Sequence, residues 1–285
     1  MSTLEAVDGR RRATRGHLAR AVPGLVLLAV AVLVPLGWLL WLSFHDVDSA
    51  GTGPWVGIDH YVAVLGSSSW WTAIATTAAV TAALVVGQLL LALVFGVALW
   101  HLSVLWWPLR FLALVPAGIG LVVGAQAGRA AVDGGFLATW FGIDGGGATA
   151  ALAGVVLGEL WRTTGLVVVL VHAGLTRVPA PLLDAAVADG ASSWQRWRRV
   201  VWPALTPALA AIVVFRLLDS WRLLDGPWLV REEGSFRTTA SAVVADNALA
   251  TFATGPAAAA GVVLVVLALL IAGLALGVAR MVKAR

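Results

Sequence analysis

The residues of this chain that can do chemistry are few, and the four most informative sit where charge is expensive. Glu159 and Arg162 interrupt one apolar run, and Arg216 and Asp219 interrupt another. Inside a bilayer each such charge costs a few kcal/mol unless it is paired or faces water. Both pairs are spaced i, i+3, so the members of each pair share one helix face. Counting ~1.5 Å per residue along each helix places all four in comparable layers of the outer half of a membrane. Two readings stay open. The charges line a solute path, together with Trp221 and with Arg222 and Asp225 at its outer mouth, or they form an ion-pair lock between two helices. The five histidines, His17, His45, His60, His101 and His172, show no metal-ligand spacing, and His172 reads as a helix-end residue. The absence of Cys excludes thiolate sites and disulfides. The one lysine, Lys283, is almost the last residue, so a phosphate-cradling Gly-x-x-x-x-Gly-Lys-[Ser/Thr] loop cannot form. A Gly-x-Ser-x-Gly nucleophile elbow is missing too. Neither a catalytic constellation nor a metal site is expected.

A second constellation lies between Val178 and Pro203. Asp184 to Ala188 predicts a short helix with its acid in the first turn, where the helix dipole favours it. Gly190 can take the positive φ that ends such a helix. Ser192, with Gln195 three residues on, forms a capping-box pattern that starts a second short helix. Pro203 is expected to close that helix, with Pro207 in the first turn of the next span. Trp194, Trp197 and Val201 make an apolar stripe at 3–4 spacing, beside Arg196, Arg198 and Arg199. Such a helix–turn–helix can lie on lipid headgroups or fit a groove on a partner protein.

The elements that must position these residues are membrane spans. Of 285 residues, 60% are apolar and 12% charged, with mean hydropathy +0.91. A soluble domain carries roughly twice that share of charge. Several apolar runs approach or exceed the ~20 residues that cross a bilayer. The expected spans are about 22–42, 70–100, 109–127, 150–175, 204–221 and 256–278. A basic tail, residues 1–21, precedes the first, whose apolar run is too long for a signal peptide. With that tail inside, Arg10, Arg11, Arg12, Arg15, Arg20, Arg110, Arg177, Arg196, Arg198, Arg199, Arg280, Lys283 and Arg285 are cytoplasmic. Only Arg129, Arg222, Arg231 and Arg237 fall outside. The asymmetry puts both termini in the cytoplasm. Trp residues cluster near span ends as an aromatic belt. The basic residues flank apolar spans and do not interleave with aromatics on one polar face, so no nucleic-acid partner is expected.

The segment from Asp184 resembles the cytoplasmic signature of ABC-importer permeases. Asp184-Ala185-Ala186, Asp189-Gly190-Ala191 and Pro203 match it at the family spacing; Asp184 replaces a Glu, Val200 an Ile and Trp202 a Leu. The resemblance covers about residues 70–275. Thr77, Arg110, Pro116, Trp161, Ala173-Gly174-Leu175, Pro179 and the Trp221/Asp225 region are similar to the sugar-permease branch. Within it, Trp70-Trp71-Thr72-Ala73 and Arg216-Leu217-Leu218-Asp219 are similar to actinobacterial trehalose-type permeases. The family's Gly-Gly-Pro after the fifth span is replaced by Arg231-Glu232-Glu233-Gly234.

The resemblance implies an all-α membrane protein of about six transmembrane helices. Residues 22–69 would be an extra first span and outer loop, 70–279 a MetI-like core, and 280–285 a cytoplasmic tail. It implies a non-enzymatic permease subunit in a bacterial cytoplasmic (inner) membrane, translocating a sugar, expected to be a disaccharide such as trehalose. The implied partners are a second homologous permease, two ATPase subunits that bind ATP and Mg, an external solute-binding protein, and membrane lipid. The ATPases would dock on residues 178–203, with Asp184, Ala185, Ala186, Asp189, Gly190, Trp194, Trp197 and Pro203 as the coupling set. A secondary transporter driven by an ion gradient is the alternative, but it would show an internal repeat and leave the cytoplasmic signature unexplained. A membrane-embedded enzyme would need paired acids near the interface; the nearest, Asp46, Asp48 and Asp59, read as solvated loop residues.

Overall fold

The computed structural model describes residues 3–48, 51–102, 106–132, 135, 139, 148–223 and 239–284. Helix α1 (Thr3–Ser43) runs without a break through Pro23 and Pro35. The basic tail expected before residue 22 is therefore the first part of one helix. A small antiparallel hairpin follows, β1 (His45–Asp48) and β2 (Gly51–Trp55). Nothing in the apolar periodicity announced it; the short strands read as loop. Helix α2 (Asp59–Gly66) leads through Ser67 into α3 (Ser68–His101).

The expected third span, 109–127, is not one helix. It is α4 (Trp106–Leu114), a 3-10 turn at Pro116–Gly118, and α5 (Leu121–Val132). Pro116 has no N–H to continue the ladder, and Gly118 and Gly120 are poor helix formers, so the backbone turns extended at Ile119. The remaining elements are α6 (Ala148–Leu175), α7 (Ala180–Ala188), α8 (Ser193–Arg196), α9 (Trp202–Trp221), α10 (Ala240–Leu249) and α11 (Thr254–Ala284). Among the described residues, five helical stretches are long and apolar enough to cross a membrane: Val22–Ser43, Ser68–His101, Leu152–Leu175, Ser193–Trp221 and Thr254–Val278.

Helix α6 is the most enclosed span, whereas the apolar windows of α1 and α11 hold no buried residue. Helix α6 packs on α3, α4, α5 and α9, while α11 packs on α9 and α10 and carries α1 on its outer side. Glycines bring the first of these contacts to backbone distance. A Cβ on Gly165 would stand 1.7 Å from Ala113 O in α4, and one on Gly128 would stand 1.9 Å from Gly154 O in α6. Small residues let membrane helices approach this closely, where lipid supplies no hydrophobic drive of its own.

Three clusters mark depth along the bundle. Trp70, Ala73, Ala240 and Ala260 pack at the end where α3 and α11 begin. There the Thr77 hydroxyl accepts from Ala240 N at 2.9 Å and starts α10. Val80, Leu84, Val155 and Leu223 form the middle cluster. At the opposite end Ala92, Val167, Val171, Leu175, Val178, Val201 and Leu205 close over the segment 180–203.

Candidate functional site

Two arrangements carry the chemistry, one inside the bundle and one at its end. The first is built around Arg216, which α9 holds almost wholly buried at 1% exposure. A guanidinium in that position needs every N–H directed at an acceptor. Nε donates to Gln88 Oε1 on α3 at 2.6 Å, and Nη1 donates to Asp219 Oδ2 at 2.5 Å. Nη2 reaches Thr163 Oγ1 at 3.3 Å, Ser220 Oγ at 3.5 Å and Glu159 Oε1 at 3.8 Å. Glu159 is in turn held by a two-pronged pair from Arg162, Nε to Oε2 and Nη2 to Oε1, each at 2.9 Å. The Thr163 hydroxyl donates to Glu159 O at 2.7 Å and accepts from Gln88 Nε2, so Gln88 is also satisfied.

The expected meeting of the fourth and fifth spans through their charges is observed, and each i, i+3 pair closes within its own helix. Four formal charges cancel in the cluster, which lowers the cost of holding them away from water. Exposure is graded. Gln88 and Arg216 are sealed, the Asp219 side chain is 26% exposed, and Arg222, which donates to Asp219 Oδ1 at 3.2 Å, is 81% exposed. The network is therefore sealed at its centre and exposed at its edge. Trp221 is buried, with no hydrogen-bond partner for its indole N–H among the described residues. Asp225 lies outside the described residues.

Sequence reasoning missed Gln88, Thr163 and Ser220, because it flagged only ionisable groups. A lone glutamine in a long apolar run is itself a polar group that needs a partner, and that signal was available. Trp161, singled out on sequence similarity, points away from the network. It lines an apolar cleft of about 790 Å³ with Leu91, Phe95, Leu112, Leu157 and Thr164. Among the described residues no group of three metal-ligating side chains converges.

The second arrangement is the 180–203 segment. Helix α7 starts at Ala180, with Pro181 in its first turn, so Asp184 stands a turn further in than expected and gains little from the helix dipole. The sequence placed the start too late because it weighed the acid above the proline. Gly190 takes φ +73°, with Ala191 N bonded to Ala186 O and Gly190 N to Val187 O, the two bonds of a Schellman cap. The capping box forms as expected: Gln195 N donates to Ser192 Oγ at 3.3 Å, and Ser192 N donates to Gln195 Oε1 at 2.8 Å.

Pro203, however, does not close a helix. A π-turn over Trp197–Val201, in which Trp202 N reaches Trp197 O, widens the helix where Pro203 would crowd it, so Ser193–Trp221 runs on as one span. Pro207 falls inside α9 rather than in its first turn. The Trp194/Trp197/Val201 stripe is graded by depth. Val201 is buried, Trp197 packs with Leu183 against the cluster below α6, and Trp194 is exposed with Leu182 and Val187. The segment is thus welded to two spans by its inner side chains and presents apolar and basic groups outward.

No model of a protein family matches the chain. It is 31% identical to the trehalose transport system permease SugA of Mycobacterium tuberculosis over 264 residues, covering 90% of this chain and 86% of that one. It is 27% identical to the trehalose/maltose permease MalF of Thermococcus litoralis over 225 residues, 75% of this chain and 76% of that one. Among solved structures, a bacterial ABC transporter that imports the acidic polysaccharide alginate superposes with a TM-score of 0.76. That match covers 95% of this chain and 98% of the other, at 20% identity, and shows a common fold.

Proposed function

The chain belongs to the sugar permeases of ABC importers, and from that premise we propose that it translocates a disaccharide such as trehalose, delivered by an external binding protein. As a member of this family it is a transport subunit and not an enzyme. Its membrane spans make it a multi-pass membrane protein. The finer reading, supported by the distribution of its basic residues, is a bacterial cytoplasmic membrane with both termini inside. It pairs with a second, similar permease, and two ATPase subunits, which bind ATP and Mg, dock on the coupling helices, in this chain residues 178–203.

One observation carries the mechanism: this segment is capped at its turn and packed against the bundle through Leu183, Trp197 and Val201. Leu183 and Trp197 are packed into the cluster formed by Val171, Leu175 and Leu205, so a push on Trp194 or Leu182 moves α6 and α9 as bodies. Those are the two helices that carry Glu159, Arg162, Arg216 and Asp219. Closure of the ATPases on one end is thereby transmitted to the polar network in the middle. The exposed edge of that network, Asp219 with Arg222, supplies the charged acceptor and donor that sugar hydroxyls need. The sealed centre, Arg216 with Gln88 and Glu159, keeps the helices in register. The trehalose assignment is supported by the extent of the match to the mycobacterial permease.

The test is uptake of labelled trehalose into proteoliposomes that hold this chain with its neighbouring permease, ATPase and loaded binding protein. ATP-dependent uptake supports the whole reading. No trehalose uptake, with ATPase stimulation by a binding protein loaded with another sugar, keeps the importer and discards trehalose. Uptake without ATP or the ATPase overturns the importer.

A further inference from the structure

The short helix α2 presents three different faces. Tyr61 and Val64 turn inward: the Tyr61 hydroxyl and Ser43 Oγ share a 2.6 Å hydrogen bond, and Val64 packs on the Trp70, Ala73, Ala240 and Ala260 cluster. Asp59, Ala63 and Gly66 form an exposed polar or small face. Ile58, Val62 and Leu65, at i, i+4 and i+7, form a third face that is exposed and wholly apolar. We propose that this third face is seated in lipid, at the boundary between headgroups and acyl chains, in the leaflet at the end opposite the 180–203 segment.

The argument for lipid is continuity with the surfaces of two spans. Ser67 alone separates α2 from α3, and its extended backbone turns the chain there, so α2 is not a continuation of the span. Trp71, in the first turn of α3, donates its indole N–H to Leu65 O at 2.8 Å while its ring stays exposed. It heads an exposed stripe of Ala75, Ala78, Ala82 and Val86 that runs down the span. On the other side, α1 ends in Trp38 stacked on Trp41 at 4.9 Å, and Trp41 stacks on His45 at 4.0 Å. His45 meets Trp55 edge-on at 5.2 Å, just before α2. Exposed indoles thus bracket the apolar face of α2 and join it to the outer ends of two membrane helices. Indoles favour that depth because one end is apolar and the other forms hydrogen bonds.

A helix of 8 residues has little tendency to fold on a bilayer by itself. Here Tyr61 and Val64 hold it folded before lipid is met, so the ordering cost of an interfacial helix is already met by the bundle. A docked protein would have to cover the exposed indoles of Trp38, Trp55 and Trp71 as well as this face.

The chain contains no Cys, so single-cysteine variants Val62→Cys, Leu65→Cys and Ala63→Cys can each carry a nitroxide in the full chain, assembled with its partner subunits in lipid bilayers. Collision with oxygen, which partitions into lipid, is compared with collision with a water-soluble nickel chelate. The proposal expects oxygen to dominate at 62 and 65 and the chelate to dominate at 63, so the ratio inverts between adjacent residues. Equal chelate access at 62 and 63 overturns it by placing the face in water. Shielding of 62 from both reagents overturns it by placing the face under protein.

Discussion

Arg216 donates from Nε to Gln88 Oε1 at 2.6 Å, joining two spans that lie 128 residues apart in sequence. Gln88 also donates to Thr163, so one amide links α3, α6 and α9. Gln88→Leu would leave the sealed guanidinium with an undirected N–H and is expected to cost about 2–3 kcal/mol. The unfolding midpoint in detergent should fall accordingly. Gln88→Met keeps the side-chain length without the amide and should lose about as much; little loss in that variant would mean that packing, not the hydrogen bond, matters there.

Asp219 plays a different part. Its side chain is the acceptor for Arg216 Nη1 and is also partly exposed. Asp219→Asn keeps an oxygen for that N–H and is therefore expected to assemble, but to lower the apparent affinity for sugar by roughly tenfold, about 1.4 kcal/mol. Uptake kinetics alongside co-purification of the partner subunits would check it. Normal affinity with normal assembly would remove Asp219 from the solute path.

At Gly190 the φ of +73° alone opposes a side chain, since a Cβ there meets nothing within 4 Å. Gly190→Ala should cost about 1 kcal/mol in stability and leave transport largely intact. Gly190→Trp sets a large ring at the outward turn between α7 and α8. It should abolish ATPase stimulation by the loaded binding protein while the chain still folds. Full stimulation in that variant would place the docking surface elsewhere.

The glycines of α5 and α6 are expected to be far less tolerant. Gly128→Ala would drive a methyl group into Gly154 O at 1.9 Å, so the two helices must separate. Loss of folded protein, read as monodisperse yield after solubilisation, is the expected result. Gly118→Ala, where a Cβ meets nothing within 4 Å, is the control and should accumulate normally.

Much of this was legible in the linear chain, for identifiable reasons. The spans of α3, α6, α9 and α11 follow from apolar length, which is a property of composition within a window. The Gly190 turn and the Ser192–Gln195 box were legible because caps depend on residues within three or four positions of one another. The i, i+3 ion pairs were legible on the same ground. Local rules misled where two of them competed. Pro116 divides a span that apolarity alone would make continuous, whereas Pro203 fails to end a helix because a π-turn absorbs it.

The sequence by itself determined that this chain lives in a membrane, which residues carry its charges, and what kind of joint the 180–203 segment makes. Apolarity, charge and capping are read over a few neighbouring residues, so no fold is needed to see them. Only the tertiary structure decided that Gln88 is the partner of Arg216, that Trp197 faces inward while Trp194 faces outward, and that α2 keeps one apolar face uncovered. Those facts depend on which helices stand side by side. That is set by backbone approach at Gly128, Gly154 and Gly165 and by the demand of a buried guanidinium for acceptors.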